Sequence, residues 1–582
     1  MIKFLRNFLA ALLALVVFSG FGIFILIGIG SVMDQQSPVV VSDNSILTLQ
    51  LTRPISDRGI DDPMAGLGFG SDGRLIGAID IRKALEKAAE DDKIIGVNLK
   101  VPVMMSGFGL GEEVRSALSK FKESGKFIFA HANYLSEGGY YLSSVADKLY
   151  MSPEGKLELN GLSIEMSFFK GTFKKLGIEP EIFRVGDYKS AVEPFLLDKM
   201  SEENALQVNS FLNSIYDTMI DEMANDLPIS SDKLKQISNK MEVRNAKDAK
   251  ELQLVTDLKY YDEYLEILAE HAEVESVDDL NFVDFSDYKK SSSSYNRASD
   301  KVAVLIAEGE IVYGKGNKKM IGAQSFIREL KKIREDENIK AVVIRINSPG
   351  GDFLASDLMW REIIKTKAVK PVIASMADYA ASGGYYMAMA TDSIVAQPNT
   401  ITGSIGIFAI MFNMEGFMAD KLGITSDGVS TGEFSNLYSA TRTMSDAERA
   451  IIQQSVNEGY ETFTTKAAKG REMDIATLKS VASGRVWTGS QAKQNGLVDE
   501  LGGLDDAINI AATKADIEAY KVRYYPEQKS VVEELMDELS GTVSASLLKM
   551  KTAELYPYFE VVEKMKKLEG TQARMPFEFR IH

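Results

Sequence analysis

The second half of the chain alternates between two patterns of apolar and polar positions, which predict strands and helices. Residues 302–307 and 341–346 are β-branched and almost uninterruptedly apolar, which is typical of strands buried on both faces of a parallel sheet. Between them, residues 325–334 carry apolar side chains at helical spacing, and residues 371–375 form a third apolar run. This order of strand, helix and strand predicts an α/β architecture built on a parallel sheet.

The same pattern occurs earlier in the chain, displaced by 245 residues. The letters GGYY at 138–141 recur at 383–386, and the apolar run at 94–100 matches the run at 339–345. Farther along the chain the displacement falls slowly to 243 residues, and so gradual a drift is hard to explain by chance. We therefore predict two homologous α/β repeats in tandem.

The segments outside the two repeats differ from them in composition. Residues 277–300 are polar and contain four consecutive serines, which is typical of a surface linker. Residues 532–539 carry apolar side chains at helical spacing, which predicts an amphipathic helix in the tail. The predicted divisions are a cytoplasmic stub and membrane anchor at 1–34, an N-terminal repeat at 45–275, a linker at 276–300, a C-terminal repeat at 301–525 and a helical C-terminal tail at 526–582.

A membrane anchor is predicted at the N-terminus. Residues 8–30 are uncharged and almost wholly apolar, and a membrane-spanning helix needs about 20 such residues. Lys3 and Arg6 precede this run and Asp34 follows it, so the positive-inside rule keeps the N-terminus in the cytoplasm. The alternative is a cleaved signal peptide, but its apolar region is usually about 7–15 residues long, and no A-x-A site follows here. We predict an uncleaved single span that contacts the lipid bilayer through residues 8–30, with the remainder of the chain outside the cytoplasm.

Composition excludes several kinds of chemistry. The 582 residues include no cysteine and only three histidines, which excludes a disulfide framework, a thiol nucleophile, an iron–sulfur cluster and a Cys-ligated zinc site. The net charge of −17 argues against a nucleic-acid partner, because nucleic-acid binding requires a basic face. We expect neither a metal nor a cofactor.

Two glycine motifs follow adjacent predicted strands of the second repeat. They are NSPGG at 347–351 and AASGG at 380–384, and the carboxyl ends of strands are where open α/β sheets bind ligands. Ser382 therefore stands between a strand and the start of a helix, where free N–H groups and the helix dipole favour negative charge. An exposed hydroxyl beside such donors is the arrangement that an acyl-transfer enzyme needs.

The donors for an oxyanion would be the N–H of Gly383 and the N–H of Gly350 or Gly351. Ser382 has a simpler interpretation as a helix N-cap, with the glycines serving only as turns. The duplication argues against this, because the position equivalent to Ser382 in the first repeat is Glu137, which is a poor N-cap. Only the second repeat is equipped for nucleophilic attack.

A serine nucleophile needs a base, and none of the histidines is convincing. His131 lies close to Glu137, the first repeat's counterpart of Ser382, while His271 is near the linker and His582 is terminal. A Ser–His–Asp triad stays open as an alternative. A lysine can replace histidine when burial lowers its pKa. Lys189 is the preferred candidate, because its equivalent in the second repeat is Ser435. The second repeat thus retains the nucleophile and the first retains the lysine. Taken alone, Lys189 has the simpler interpretation of a solvated surface lysine.

Taken together, the motifs of this chain resemble a known family, the signal peptide peptidases A (protease IV), in their long, duplicated, membrane-anchored form. The resemblance covers nearly the whole chain. Besides the N-terminal span it is carried by GDYKSAVEPF at 186–195, SPGG at 348–351, ASGGYY at 381–386, TGSIG at 402–406, RVWTG at 485–489 and GLVDELGG at 496–503.

The resemblance implies a Clp protease/crotonase-like fold in each repeat and a Ser–Lys dyad divided between them. It implies that Ser382 is the nucleophile and Lys189 the general base. Ser404 would hydrogen-bond the lysine amine and orient it, and Gly351 and Gly383 would supply the oxyanion N–H groups.

The resemblance also implies a partner and a location. It implies peptide substrates, namely remnant signal peptides left after secretion, and a homotetramer that encloses a chamber. The protein would be a single-pass protein of the bacterial cytoplasmic membrane, with its catalytic body on the extracytoplasmic side. Two other functions stay open: a crotonase-type acyl-CoA enzyme, which uses the same fold without a serine nucleophile, and a non-catalytic membrane scaffold.

Overall fold

The structure is a computed structural model, and it describes most of both repeats. The described residues are 3–18 apart from 5 and 16, 41–59, 75–291, 297–317, 319–527 and 570–575. Residues 6–15 are helical, whereas residues 19–30 of the predicted anchor lie outside the described residues. Within the described ranges, no helix combines the length and apolar character required to cross a membrane.

The first repeat is an α/β unit that contains nine strands and ten helices in its described residues. The strands are β1 (Ser45–Gln50), β2 (Ile55–Ser56), β3 (Ile76–Gly77), β4 (Ile94–Lys100), β5 (Phe127–Leu135), β6 (Lys148–Leu157), β7 (Glu179–Arg184), β8 (Asp257–Leu258) and β9 (Asn281–Asp284). The helices are α1 (Ala78–Glu90), α2 (Phe108–Lys122), α3 (Glu137–Ser143), α4 (Lys170–Leu176), α5 (Glu193–Leu196), α6 (Glu202–Asp226), α7 (Ser231–Asn239), α8 (Ala246–Glu251), α9 (Tyr261–His271) and α10 (Phe285–Tyr288).

The second repeat and the described part of the tail continue the same alternation. The strands are β10 (Lys301–Glu308), β11 (Glu310–Val312), β12 (Gly316–Asn317), β13 (Met320–Gly322), β14 (Ile339–Ser348), β15 (Gly350–Asp352), β16 (Val372–Ala381), β17 (Ser393–Ala396), β18 (Ile401–Gly403), β19 (Phe408–Asn413), β20 (Val486–Thr488), β21 (Glu500–Leu501), β22 (Lys521–Tyr525) and β23 (Gly570–Arg574). The helices are α11 (Ala323–Glu335), α12 (Phe353–Lys367), α13 (Gly383–Ala388), α14 (Asp446–Gly470), α15 (Ile475–Val481), α16 (Gly489–Gln494) and α17 (Leu504–Lys514).

Each repeat is built on a sheet whose central strands are parallel. The first has six strands in the order β8-β6-β5-β4-β1-β9, and the second has eight, with the path β20-β18-β16-β14-β10-β22. The central strands β10, β14 and β16 are almost wholly buried, because helices cover both faces of the sheet. The predicted α/β architecture with a parallel sheet is confirmed.

The duplication is visible in the bounds of the helices. Helices α1 and α11 have the same length and are displaced by 245 residues, and so are α2 and α12. The long helices α6 and α14 are displaced by 244 residues. The two repeats therefore share one arrangement of elements, as their sequences predicted.

The first sheet extends into the region predicted as a linker at 276–300. Strand β9 pairs in parallel with β1, and the following turn of helix, α10, buries Tyr288 completely. This corrects the predicted boundary at residue 275. The strand escaped prediction because it lies at the edge of the sheet and buries only one side chain, Val283, so it carries little apolar periodicity.

A third sheet joins the two repeats to the tail. Its order is β12-β13-β11-β15-β23-β19-β7, so it includes one strand of the first repeat and one of the tail. Strand β7 pairs antiparallel with β19 over six residues, which ties the segment before Lys189 to the second repeat. The amphipathic stretch at 532–539 of the predicted helical tail lies outside the described residues, and residues 570–574 of the same tail form a strand.

A buried ion cluster connects the same two repeats. The Arg345 side chain of β14 is fully buried, and its Nε lies 2.6 Å from Asp57 Oδ1. Its two terminal nitrogens bind the two oxygens of Glu113 on α2 at 2.7 and 2.9 Å. A bidentate pair of this kind compensates for the desolvation of the charges only while all partners are present. Arg345 therefore stabilises the contact between the repeats.

Replacement of Arg345 by Met leaves two buried carboxylates without their cation. We expect the free energy of unfolding to fall by about 3–5 kcal/mol, measured from the urea midpoint of the full chain. The control is Arg328→Met, because Arg328 is an exposed residue paired with Glu329, and its loss should change stability by no more than ~0.5 kcal/mol. Equal changes in the two variants would contradict a supporting role for Arg345.

Candidate active site

Ser382 stands between β16 and α13, as its sequence context predicted. The residue is fully buried and has a φ of 55° and a ψ of −110°, a backbone conformation that non-glycine residues rarely adopt. Its side chain makes no hydrogen bond to the first turn of the helix. The corresponding helix of the first repeat has a true cap, because Ser136 Oγ accepts the N–H of Gly139 at 3.1 Å. Ser382 therefore occupies the N-cap position without capping the helix through its side chain.

Lys189 reaches Ser382 from the first repeat. It immediately precedes the short 3-10 helix Ser190–Val192, and its side chain is fully buried, which excludes the interpretation as a solvated surface lysine. Its Nζ lies 3.0 Å from Ser382 Oγ, 3.0 Å from Ser404 Oγ and 3.1 Å from the Ser404 carbonyl oxygen. The contact forms within a single chain, which the sequence alone did not decide.

The surroundings of Lys189 favour its neutral amine. Burial holds the pKa of this amine well below its usual 10.5, because a desolvated ammonium ion is unfavourable. The three atoms in contact with Nζ are two hydroxyl oxygens and one carbonyl oxygen. A neutral amine has two N–H groups, which Ser404 can accept, and one lone pair, which is then directed at the hydroxyl of Ser382.

The backbone around Lys189 is held by a loop of the second repeat. Gly484 has a φ of 80°, and a Cβ on it would lie 2.7 Å from the Cβ of Lys189, so only glycine allows this approach. The N–H of Tyr188 donates to the Ser483 carbonyl at 3.1 Å. The side chain of Gln207 donates to the Tyr188 carbonyl at 3.1 Å. Neither Gly484 nor Gln207 was predicted from the sequence, although Gly484 directly precedes the RVWTG motif.

The two glycine motifs meet beside Ser382. A Cβ on Gly350, whose φ is 98°, would lie 2.7 Å from the backbone nitrogen of Gly383, which is the first residue of α13. The N–H of Gly350 donates to Ser348 Oγ at 3.2 Å and is thereby occupied. The hydrogen bond of Gly350 disfavours it as an oxyanion donor, and the pair Gly351 and Gly383 stays the prediction.

The histidines contact other parts of the chain. His131 Nε2 lies 2.9 Å from the Lys259 carbonyl oxygen, and its ring packs on Tyr264. His271 packs against Phe129. His582 lies outside the described residues. Among the hydrogen-bond contacts of Ser382 Oγ in the described residues is the amine of Lys189, and neither His131 nor His271 is among them.

Two known protein families match the sequence of this chain. The model of peptidase family S49 matches the chain twice, at residues 120–275 and 364–518. The model of the Clp protease family matches residues 293–402, which include the strands around Ser382. The two S49 matches fall in the two repeats, so the fold of each repeat is Clp protease-like.

Curated relatives match along most of the chain. The serine protease SPPA, chloroplastic, of Arabidopsis thaliana is 36% identical over 92% of this chain and 78% of its own length. Protease 4 of Haemophilus influenzae is 34% identical over 87% of this chain and 84% of its own, and Protease 4 of Salmonella typhi is 32% identical over 91% and 87%. The chain therefore belongs to peptidase family S49 and is a serine protease.

Proposed function

We propose that this serine protease is a membrane-anchored endopeptidase that uses Ser382 as nucleophile and Lys189 as general base. The observation that carries the proposal is the 3.0 Å contact between Lys189 Nζ and Ser382 Oγ in a fully buried site. A serine hydroxyl at this distance from a neutral amine is within reach for proton transfer. The N-terminal repeat at 45–275 would supply the base and the C-terminal repeat at 301–525 the nucleophile.

The reaction proceeds by acyl transfer. The Lys189 amine takes the hydroxyl proton as Ser382 Oγ attacks the scissile carbonyl carbon. The N–H groups of Gly351 and Gly383 stabilise the tetrahedral oxyanion. Protonated Lys189 then donates to the leaving amine, and water, activated by the same lysine, hydrolyses the acyl-enzyme ester. Both steps use one lysine, so no histidine or metal is needed.

Ser404 is proposed to orient the base. Its hydroxyl and carbonyl oxygens, at 3.0 and 3.1 Å, accept the two N–H groups of the amine. This fixes rotation about the terminal C–N bond, so that the lone pair stays directed at Ser382. Ser404 has a φ of 49°, an uncommon conformation for a non-glycine residue, which brings both of its oxygens to the same amine.

The substrates are proposed to be peptides that remain in the membrane, namely remnant signal peptides after their release from preproteins. The support is the resemblance of the motifs together with the apolar run at residues 8–30, which would hold the catalytic body on the extracytoplasmic face of the bacterial cytoplasmic membrane. A location beside the bilayer raises the local concentration of membrane peptides. Apolar or small side chains before the scissile bond would fit such substrates.

A homotetramer is proposed as the assembled form. Besides the resemblance, it is supported by several large apolar side chains that are exposed in one segment, between β19 and α14, and that a neighbouring subunit would cover. These side chains are Leu422, Ile424, Val429, Phe434 and Tyr438.

Removal of either member of the dyad is expected to abolish proteolysis. Ser382→Ala and Lys189→Met should each lower kcat/KM for casein or a fluorogenic peptide by about 10³-fold or more, because attack loses its nucleophile or its base. Ser382→Ala should also abolish labelling by a fluorophosphonate probe. The control is Lys156→Met at an exposed lysine, which should keep full activity. Full activity in Lys189→Met would rule out the dyad, and a labelled Ser382→Ala variant would assign the nucleophile elsewhere.

The pH dependence of the reaction should report Lys189. Because burial lowers the pKa of its amine below 10.5, the amine is expected to lose its proton at a pH where ordinary lysines stay charged. The value of kcat/KM should therefore rise with pH through a single ionisation well below 10.5 and then level off. The measurement is kcat/KM against pH with an uncharged peptide. A rise that continues up to pH 10.5 would contradict a depressed pKa.

The same burial predicts an effect on stability. Between the lowered folded-state pKa and the unfolded-state pKa, the unfolded chain binds a proton that the folded chain lacks, so this group makes the protein less stable as the pH falls. Lys189→Met removes the effect. We expect the stability of the variant relative to the wild type to increase as the pH is lowered from 10 to 7. Thermal midpoints measure the difference, Lys156→Met should show no such trend, and a constant difference would contradict the burial of a neutral amine.

A further inference from the structure

Strand β23 of the tail lies in the cleft beside Ser382. It runs antiparallel to β15, the oxyanion loop, on one side and antiparallel to β19 on the other. An extended peptide that adds a strand to an open sheet edge binds in this way, through its backbone, while its side chains enter separate pockets. The chain thus holds one of its own segments in the manner of a bound peptide.

The register of β23 places one of its peptide bonds beside the two glycine motifs. Ala573 pairs with Gly351, and a Cβ on Gly350 would collide with the Ala573 carbonyl oxygen. A Cβ on Gly383 would lie 3.0 Å from the same oxygen. The Ala573 carbonyl therefore faces both glycine motifs. The carbonyl of the bond between Ala573 and the next residue, Arg574, thus lies against Gly383, the residue that follows Ser382. In a peptide bound with this register, the corresponding bond would be the one open to attack by Ser382.

The two side chains that flank this bond have different surroundings. The side chain of Ala573 is fully buried within the core of the second repeat, which leaves little room for a larger residue before the bond. The Arg574 guanidinium lies 2.8 Å from Glu310 Oε1, and both side chains are less than one fifth exposed. A charged pair that is partly shielded from water is stronger than a fully exposed one.

Glu310 is held in place by the oxyanion loop itself. It begins strand β11, in which the next residue, Ile311, pairs with Gly351 of β15. The carboxylate is therefore carried on a strand that is directly bonded to the loop that would hold the oxyanion. A side chain in this position contacts the residue that follows the scissile bond in any peptide bound with the register of β23.

We propose that Glu310 is a specificity-determining residue that selects substrates with a basic side chain directly after the scissile bond. The proposal rests on the proposed endopeptidase function. The selected peptides carry a small residue before the bond and Arg or Lys after it. Glu310 acts by binding the cation of the substrate and takes no part in proton transfer.

The test uses the full chain and two internally quenched peptides. One has the sequence of residues 570–578, GTQARMPFE, and the other carries Glu in place of its Arg. We expect cleavage between Ala and Arg, located by mass spectrometry, and a kcat/KM about fivefold or more higher for the Arg peptide. Glu310→Lys should reverse this preference. The ratio of two peptides on one enzyme is insensitive to competition from strand β23, because the competitor is the same in both assays.

The matched control is Glu335→Lys, which makes the same change of net charge at an exposed glutamate and should keep the wild-type ratio. A purely structural role of Glu310 would lower cleavage of both peptides together and leave the ratio unchanged, which would overturn the proposal. Cleavage of the Arg peptide at another bond would overturn it as well. Failure of the wild type to cleave casein would instead contradict the endopeptidase function, so the two failures are distinguishable.

Discussion

A lysine amine enclosed in protein and directed at a serine hydroxyl is the interaction on which this structure depends. Water would charge the amine and compete for the hydroxyl, so both Lys189 and Ser382 are completely buried. Burial of a lysine without a carboxylate partner is unfavourable for folding, and the surrounding structure must offset it. The glycine at 484 permits the backbone of Lys189 to approach, and Ser404 satisfies the N–H groups of the neutral amine.

Because the proposed dyad is divided between two repeats, its geometry depends on the contacts between them. A shift of about 1 Å between the repeats would separate the amine from the hydroxyl. The antiparallel pairing of β7 with β19 fixes the segment that precedes Lys189, and the cluster of Arg345 with Asp57 and Glu113 ties strand β14 to a loop and a helix of the first repeat. Duplication of one α/β unit thus produced a site that neither copy contains alone.

Much of this arrangement could be predicted from the sequence, because the signals were local or were repeated. The equivalent helices keep the displacement of 245 residues. The first repeat has Glu137 at the position of Ser382, and the second repeat has Ser435 at the position of Lys189, which indicated Ser382 and Lys189 as a pair. Contacts between distant segments left no such signal. Arg345 lies in an apolar strand, and its sequence context gives no indication of its partners. Strand β9 buries only one side chain, and strand β23 (GTQAR) contains only one apolar residue, so neither shows apolar periodicity. The cleft occupied by β23 could therefore be found only in the folded chain.

The central claim is that burial lowers the pKa of the Lys189 amine well below its usual 10.5 while this amine faces Ser382. The most direct measurement is the ¹³Cε chemical shift of this lysine as a function of pH, in the full chain labelled with ¹³Cε-lysine, with the signal assigned by its absence in Lys189→Met. A buried amine should titrate well below 10.5, apart from the other lysines. Titration at or above 10.5 together with the surface lysines would contradict the claim, because a permanently charged amine cannot take the proton of Ser382.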